Sequence, residues 1–268
     1  MSRMSIRVSV AQFGATVDKV KNLAQVQTLI SEAGEEGAEL VVLPENSMYS
    51  NPDATADISA ERESLDGPFA CAVAQSAKEH NIAVIVGMTE VLDDSHKAFN
   101  TVVAFGPDGE RIGIYRKVHL YDAFGYKESD RVQAANFDPL TIELGGLTFG
   151  IMTCYDLRFP ELSRALIDAG TDVLVIPAAW VVGPAKEDHW ITLSRARAIE
   201  NTAYAIVCGQ TGPDCTGQSM VIDPMGVVAA SAGEAPGVAV TTISRERIES
   251  VRLKNPSLAN RRFSVAPI

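Results

Sequence analysis

Aromatic side chains are scarce, 6% of 268 residues, and no apolar run is long enough to cross a bilayer. The most apolar window, Val173 to Ala185, is interrupted by Pro177 and falls short of the roughly 20 residues a membrane helix needs. Basic residues are outnumbered, 23 Lys+Arg against 34 Asp+Glu. The resulting net charge of −11 disfavours nucleic acid and anionic membrane as partners, because both are themselves negative. A small-molecule ligand fits better. The four cysteines at 71, 154, 208 and 215 have no Cys-x-x-Cys spacing, so neither a disulfide framework nor a zinc site is expected. Met1 to Val10 lacks the continuous apolar stretch of a secretion signal, and a reducing, cytoplasmic location follows. No Gly-x-x-x-x-Gly-Lys loop is present, and the four histidines (80, 96, 119, 189) lie far apart. No metal and no cofactor is expected. Neither a low-complexity linker nor a fixed-period repeat divides the chain.

What the sequence does contain is a run of strand, helix and hairpin units. Ile6, Val8 and Val10 alternate with smaller or polar residues, the period of a strand. Asp18 then caps a helical pattern that Gly37 stops. Leu40 to Leu43 is uniformly apolar, as in strands covered on both faces, and Pro44 ends it at Glu45. Pro68 opens a helix to about His80, and Ala83 to Met88 is another buried strand. Asn100 to Phe105 and Arg111 to Tyr115 flank Gly106-Pro107-Asp108-Gly109, a strong hairpin turn that leads to Lys117. Leu140 to Leu144 and Leu147 to Thr153 pair through Gly145-Gly146, and the second ends at Cys154 ahead of a helix near Pro160. Strands at Asp172 to Ile176, Tyr204 to Cys208, Ser219 to Asp223, Val227 to Ala230 and Val238 to Ile243 follow. Helices are expected over Lys186 to Asn201 and from Arg245. One α/β domain over 1–268 is predicted, with a core of about 6–243 and a C-terminal helix and tail over 244–268.

Three residues in this pattern could carry chemistry. Cys154 stands on a strand-to-helix turn, where a helix N-terminus and a cationic neighbour would lower a thiol pKa and offer N–H donors to an oxyanion. Glu45 and Lys117 each follow an apolar strand directly. Taken singly, a cysteine reads as a small core hydrophobe and a charged residue at a strand end as solvent-facing.

Together they do more. Leu43-Pro44-Glu45, Tyr115-Arg116-Lys117-Val118-His119-Leu120 and Cys154-Tyr155-Asp156-Leu157-Arg158-Phe159-Pro160-Glu161 resemble, in order, the three signature stretches of the nitrilase superfamily of carbon–nitrogen hydrolases. Pro177-Ala178-Ala179-Trp180, Arg195 to Asn201 and Ser219 to Gly226 support it. The resemblance implies a four-layer α/β/β/α sandwich that dimerises or forms a higher homo-oligomer, and a Glu-Lys-Cys triad. In that triad Cys154 attacks an amide carbonyl, Glu45 carries the proton, and Lys117 with the Tyr155 N–H holds the oxyanion. By order, Glu128 matches a second glutamate of the family that positions substrate and lysine; Glu143 sits mid-strand at a solvent-facing step. Arg158 matches a position where acid-recognising relatives hold a substrate carboxylate, with an ion pair to Asp156 or Glu161 as its alternative role. Tyr49, Phe124 and Trp180 border the site, to shape the pocket or pack beside it. His119 is expected to be a supporting residue, and Cys208 and Cys215 to be two unpaired thiols.

The stretch around Cys154 together with Cys208-Gly209-Gln210-Thr211-Gly212 looks most like the amidase branch that includes deaminated glutathione amidase and ω-amidases. Gln218 stands where relatives often have His. The implied substrate is a small amide bearing a carboxylate, releasing ammonia. The alternatives are an N-carbamoyl amino acid hydrolase and a non-catalytic scaffold of the same fold.

Overall fold

The alternation read from the sequence becomes layering in three dimensions. In a computed structural model that describes residues 4–53, 55–93 and 95–266, the first half supplies β1 (Ser5–Gln12), α1 (Lys19–Glu35), β2 (Leu40–Val42), α2 (Pro68–His80), β3 (Ala83–Val91), β4 (Ala98–Phe105) and β5 (Arg111–Arg116). A small hairpin, β6 (Asp122–Ala123) and β7 (Tyr126–Lys127), leads into β8 (Thr141–Leu144) and β9 (Leu147–Ile151). Then come α3 (Pro160–Asp168), β10 (Val173–Ala178), α4 (Lys186–Asn201), β11 (Tyr204–Gly209), β12 (Ser219–Ile222), β13 (Val228–Gly233), β14 (Gly237–Ser244) and α5 (Arg245–Lys254). Two six-stranded sheets result, ordered β14-β1-β2-β3-β4-β5 and β13-β12-β11-β10-β9-β8.

Because strand side chains alternate, each central strand serves two cores. Leu40, Val42, Ala83 and Ile85 face Val173, Val175, Tyr204 and Ile206 of the other sheet. Their neighbours Val41, Leu43, Val84 and Val86 pack outward on Leu29, Ile30, Phe69 and Val73 of α1 and α2. On the far side Leu174, Ile176, Ala205 and Val207 meet Leu162, Leu166 and Trp190 of α3 and α4. The order of layers is helix, sheet, sheet, helix, the predicted sandwich. Each fully buried aliphatic side chain in these cores contributes about 1.5–3 kcal/mol of transfer free energy.

Both sheets run parallel at their centres: β1-β2-β3 in one and β9-β10-β11 in the other. Loops leaving the carboxyl ends of these parallel strands carry Glu45, Cys154, Trp180 and Gln210 to one edge of the sandwich, where open α/β sheets bind ligands. No helix of the described residues is long and apolar enough to cross a membrane.

One expected boundary moves. The sequence pattern carries a strand through Thr153 to Cys154, but β9 stops at Ile151, and Cys154–Arg158 form a 3-10 turn before α3. The Thr153 N–H is taken by Asp156 Oδ2 at 2.8 Å instead of by a neighbouring strand, which ends the ladder. The β6–β7 hairpin, only two residues per strand, is too short to leave a periodic signal.

Candidate active site

Glu45 is placed by tight backbone packing. Past the end of β2, the Leu43 N–H still donates to Ile85 at 2.8 Å, and Pro44 accepts from the Gly87 N–H at 3.2 Å. A Cβ at Gly87 would lie 2.7 Å from the Glu45 Cα and 2.7 Å from the Asn46 nitrogen, so β3 can pass this close only as glycine. The Glu45 backbone carbonyl is pinned by Gln210 Nε2 at 2.8 Å. Lys117 follows β5, its N–H donating to Asn100 O at 2.9 Å. Cys154 opens the 3-10 turn with φ of +46°, a left-handed conformation that costs a non-glycine residue free energy and recurs at functional turns.

These placements bring the predicted charged residues into direct contact. Lys117 Nζ lies 2.8 Å from Glu45 Oε1 and 2.9 Å from Glu128 Oε2, with all three residues buried. Asn100 Nδ2 donates to both carboxylates, at 2.7 Å to Glu45 and 3.0 Å to Glu128. The Ala179 N–H reaches Glu45 Oε2 at 2.7 Å, and the Tyr121 N–H reaches Glu128 Oε2 at 2.6 Å. The Cys154 thiol faces the Glu45 carboxyl and feels the charge of Lys117. All four residues line one cavity of about 600 Å³. Glu128 is thus no water-facing loop carboxylate, whereas Glu143 is exposed.

Residues 7–253 match the carbon–nitrogen hydrolase family. The chain belongs to that family. It is 40% identical to a deaminated glutathione amidase of Escherichia coli O157:H7, over 96% of this chain and 97% of that one. An omega-amidase of Saccharomyces cerevisiae is 34% identical over 97% of this chain and 94% of its own. Among solved structures, the NitFhit protein of C. elegans superimposes with a TM-score of 0.90 at 28% identity, covering 98% of this chain. The chain spans 66% of that longer protein. This membership in the nitrilase superfamily makes the protein an enzyme of carbon–nitrogen hydrolase type, with the amidase kinship its sequence stretches imply.

The electrostatics of the cluster are set by burial and by charge count. Burial raises the Glu45 carboxyl, but Lys117 and the donors around it overcome this, leaving its pKa below the ordinary carboxylate value. Burial depresses Lys117, yet Glu128 and Glu45 on either side lift it well above the usual ammonium value. For Cys154 the lowering that a turn and a cation would give is outweighed: burial and the adjacent Glu45 charge drive the thiol well above its ordinary value, and Lys117 offsets only part of that. The resting state is therefore carboxylate, ammonium and neutral thiol, and the sulfur needs a base before it can attack.

The expected pocket residues are distributed unevenly. Tyr49, Tyr155, Arg158 and Trp180 line the cavity. Phe124 does not line it; 69% exposed, it stands at the mouth, where the Arg158 guanidinium lies 5.6 Å from its ring centroid. Arg158 forms no ion pair with Asp156 or Glu161 among the described residues. Asp156 is occupied by Tyr115, His119 and Thr153, and the guanidinium lies instead over Trp180 at 4.7 Å. His119 Nδ1 is 2.7 Å from Asp156 Oδ1 and its ring stacks on Phe159 at 3.8 Å, a supporting position away from the sulfur. All four cysteines are unpaired. Among the described residues no cluster of His, Cys, Asp and Glu is arranged to hold a metal.

Sequence reasoning missed Asn100, Tyr121, Gln210 and Lys186, all of which line the cavity. Asn100 is the third residue of β4, at a position no motif marks, and Gln210, just beyond β11, falls within the Cys208 to Gly212 stretch, which gives it no role of its own. Lys186 had a usable signal, since it follows Gly183-Pro184 as the first residue of a helix and so stands where a chain turns back toward the strand ends.

Proposed function

We propose that the enzyme hydrolyses the C–N bond of a small amide bearing a carboxylate, through a thioester on Cys154, and releases ammonia. The observation that carries this is the buried ammonium of Lys117 shared by Glu45 and Glu128 beside a neutral thiol. In the first half-reaction Glu45 accepts the thiol proton as Sγ attacks the carbonyl carbon. The lysine ammonium has three N–H donors; they face Glu45 Oε1 at 2.8 Å and both Glu128 oxygens at 3.2 and 2.9 Å, and the donor on the longest contact turns to the developing oxyanion. The Tyr155 N–H, in the first turn of the 3-10 segment, has no acceptor within that turn and supplies the second donor. Collapse of the tetrahedral adduct passes the proton from Glu45 to the departing nitrogen as ammonia leaves. Glu45 then takes a proton from water, hydroxide attacks the thioester, and the acid departs with the thiol restored.

The substrate carboxylate is assigned to Arg158, whose guanidinium enters the cavity without a carboxylate partner. Incubation with monoamides of dicarboxylic acids, followed by rapid acid quench and intact-mass measurement, tests the reading directly. A mass increase equal to the acyl group, mapped to Cys154, is expected together with ammonia release. Turnover without any adduct at Cys154, or an adduct elsewhere, would overturn the mechanism. Carbon dioxide released alongside ammonia from N-carbamoyl amino acids, and no release from simple amides, would transfer the assignment to that substrate class.

A further inference from the structure

Lys186 is a buried cation with no carboxylate partner among the described residues, which is costly unless something compensates it. Its ammonium is hydrogen-bonded to the Tyr121 hydroxyl and lies 4.7 Å from the Tyr121 ring centroid and 4.6 Å from that of Phe124. Such cation–π contacts recover less than removing an ammonium from water costs. Arg158 repeats the arrangement. Its Nε is buried without a partner, and the guanidinium lies over Trp180 and within 5.6 Å of the same Phe124 centroid. Two cations thus converge on one aromatic ring at the mouth of the cavity, in a chain whose net charge is −11. The carboxylate of Asp214 also lines the cavity but pairs with neither, since no ion pair within 4.0 Å joins them.

We propose that Lys186 is a specificity-determining residue that grips, together with Arg158, the carboxylate end of the substrate. The inference deepens the functional reading above and rests on it for the identity of the reaction. The ligand class is an amide whose far end is anionic; Lys186 supplies the point charge, and the flat guanidinium supplies the directional hydrogen bonds. The backbone fixes this second cation firmly, because the Lys186 carbonyl accepts from Trp180 Nε1 at 2.8 Å and thereby ties helix α4 to the aromatic wall under Arg158.

The test uses glutarate as a non-reacting dianionic probe and the Cys154→Ala chain, so that binding is read without turnover. Lys186→Met is expected to weaken glutarate binding by about ten- to hundredfold in calorimetry, the loss of one hydrogen bond to a charged group. Lys186→Arg, which keeps the charge, is expected to stay within about fivefold of the parent. In the Cys154-intact enzyme, Lys186→Met is expected to lower the kcat/KM ratio of glutaric monoamide over pentanamide by a similar factor, mainly through KM. A merely structural lysine would change both amides alike. Where Lys186→Met does not fold, acetylation of Lys186 in the wild-type chain carries the test: glutarate is expected to slow it and pentanamide to leave it unchanged. Unchanged glutarate affinity in Lys186→Met, no glutarate binding to the parent, or equal acetylation with and without glutarate would overturn the subsite. Lys186-dependent glutarate binding with no ammonia released from any amide would overturn the hydrolytic reading and leave the subsite standing.

Discussion

The Tyr115 hydroxyl donates to Asp156 Oδ2 at 2.7 Å, and this bond ties the Lys117 segment to the Cys154 turn. Tyr115 precedes Lys117 by two residues, and Asp156 follows Cys154 by two. His119, on the other side of Lys117, also reaches Asp156, through its N–H at 3.0 Å and Nδ1 at 2.7 Å. A fully buried carboxylate therefore clamps the lysine strand of one sheet to the cysteine turn of the other. Tyr115→Phe removes one donor to a buried charge, so a stability loss of about 1.5–3 kcal/mol is expected. Asp156→Asn should lower kcat by about tenfold or more while the ordered core persists, because small shifts between nucleophile and oxyanion donor are felt strongly. Denaturant unfolding and steady-state kinetics on both variants check this; an Asp156→Asn enzyme with wild-type kcat would remove the positioning role.

Glu45→Gln separates two properties that usually travel together. In the proposed role of general base, Glu45 would account for roughly 10²–10⁴ of the rate, so turnover should fall by about that factor. Its negative charge is also one of the causes that hold the Cys154 thiol above its ordinary value. Removing that charge while Lys117 stays must lower the thiol pKa. Thiolate absorbance at about 240 nm, titrated against pH with Cys154→Ala as blank, should thus show a lower midpoint in the dead variant than in the active parent. An unchanged or higher midpoint contradicts the charge assignment.

How much of this was readable beforehand follows from the type of signal each feature leaves. Alternation and apolar runs mark β1, β2, β3 and β10, because covered strands must carry two apolar faces; the four-layer order was implied only by the resemblance to the nitrilase superfamily. Lys186–Asn201 was legible in full. Glu45, Lys117 and Cys154 were legible because each directly follows an apolar strand or sits at its end, within an extended motif. Asn100 was not: one amide at the third residue of a strand looks like any polar edge position until Glu45 and Glu128, 55 and 28 residues away, are folded against it. The net direction of the thiol's shift was not legible for a related reason. A turn and a cation can be read from local sequence, whereas burial and the facing Glu45 are long-range facts.

Lys117→Met tests the three-body ion cluster. Its removal leaves Glu45 and Glu128 facing one another without their cation, in surroundings where an unpaired charge costs about 3–5 kcal/mol. A strongly lowered melting temperature is expected, with activity down at least about 10²-fold from loss of the oxyanion donor. Adding Glu128→Gln to this variant removes one of the two stranded charges. The double variant should recover part of the lost stability and none of the activity. Recovery of neither would mean that the cluster is held by packing instead of charge.

The alkaline limb of stability has an identified contributor in Cys208, fully buried between the sheets. Burial pushes its thiol from the ordinary 9.0 up to about 12, partly offset by Ser219 and Ala11. Below pH 9 both folded and unfolded chains hold this proton, so it gives no pH dependence. Between pH 9 and about 12 the unfolded chain releases the proton and the folded chain retains it, so the unfolded state gains and stability must fall as pH rises, by up to about 1.4 kcal/mol per pH unit for this one group. Cys208→Ala adds a small pH-independent packing loss, because a sulfur is removed from a close-packed core. Its signature is therefore in the slope. Unfolding free energies at pH 8 and pH 11 should differ less in Cys208→Ala than in the parent, and equal differences would show that the Cys208 thiol titrates alike in both states.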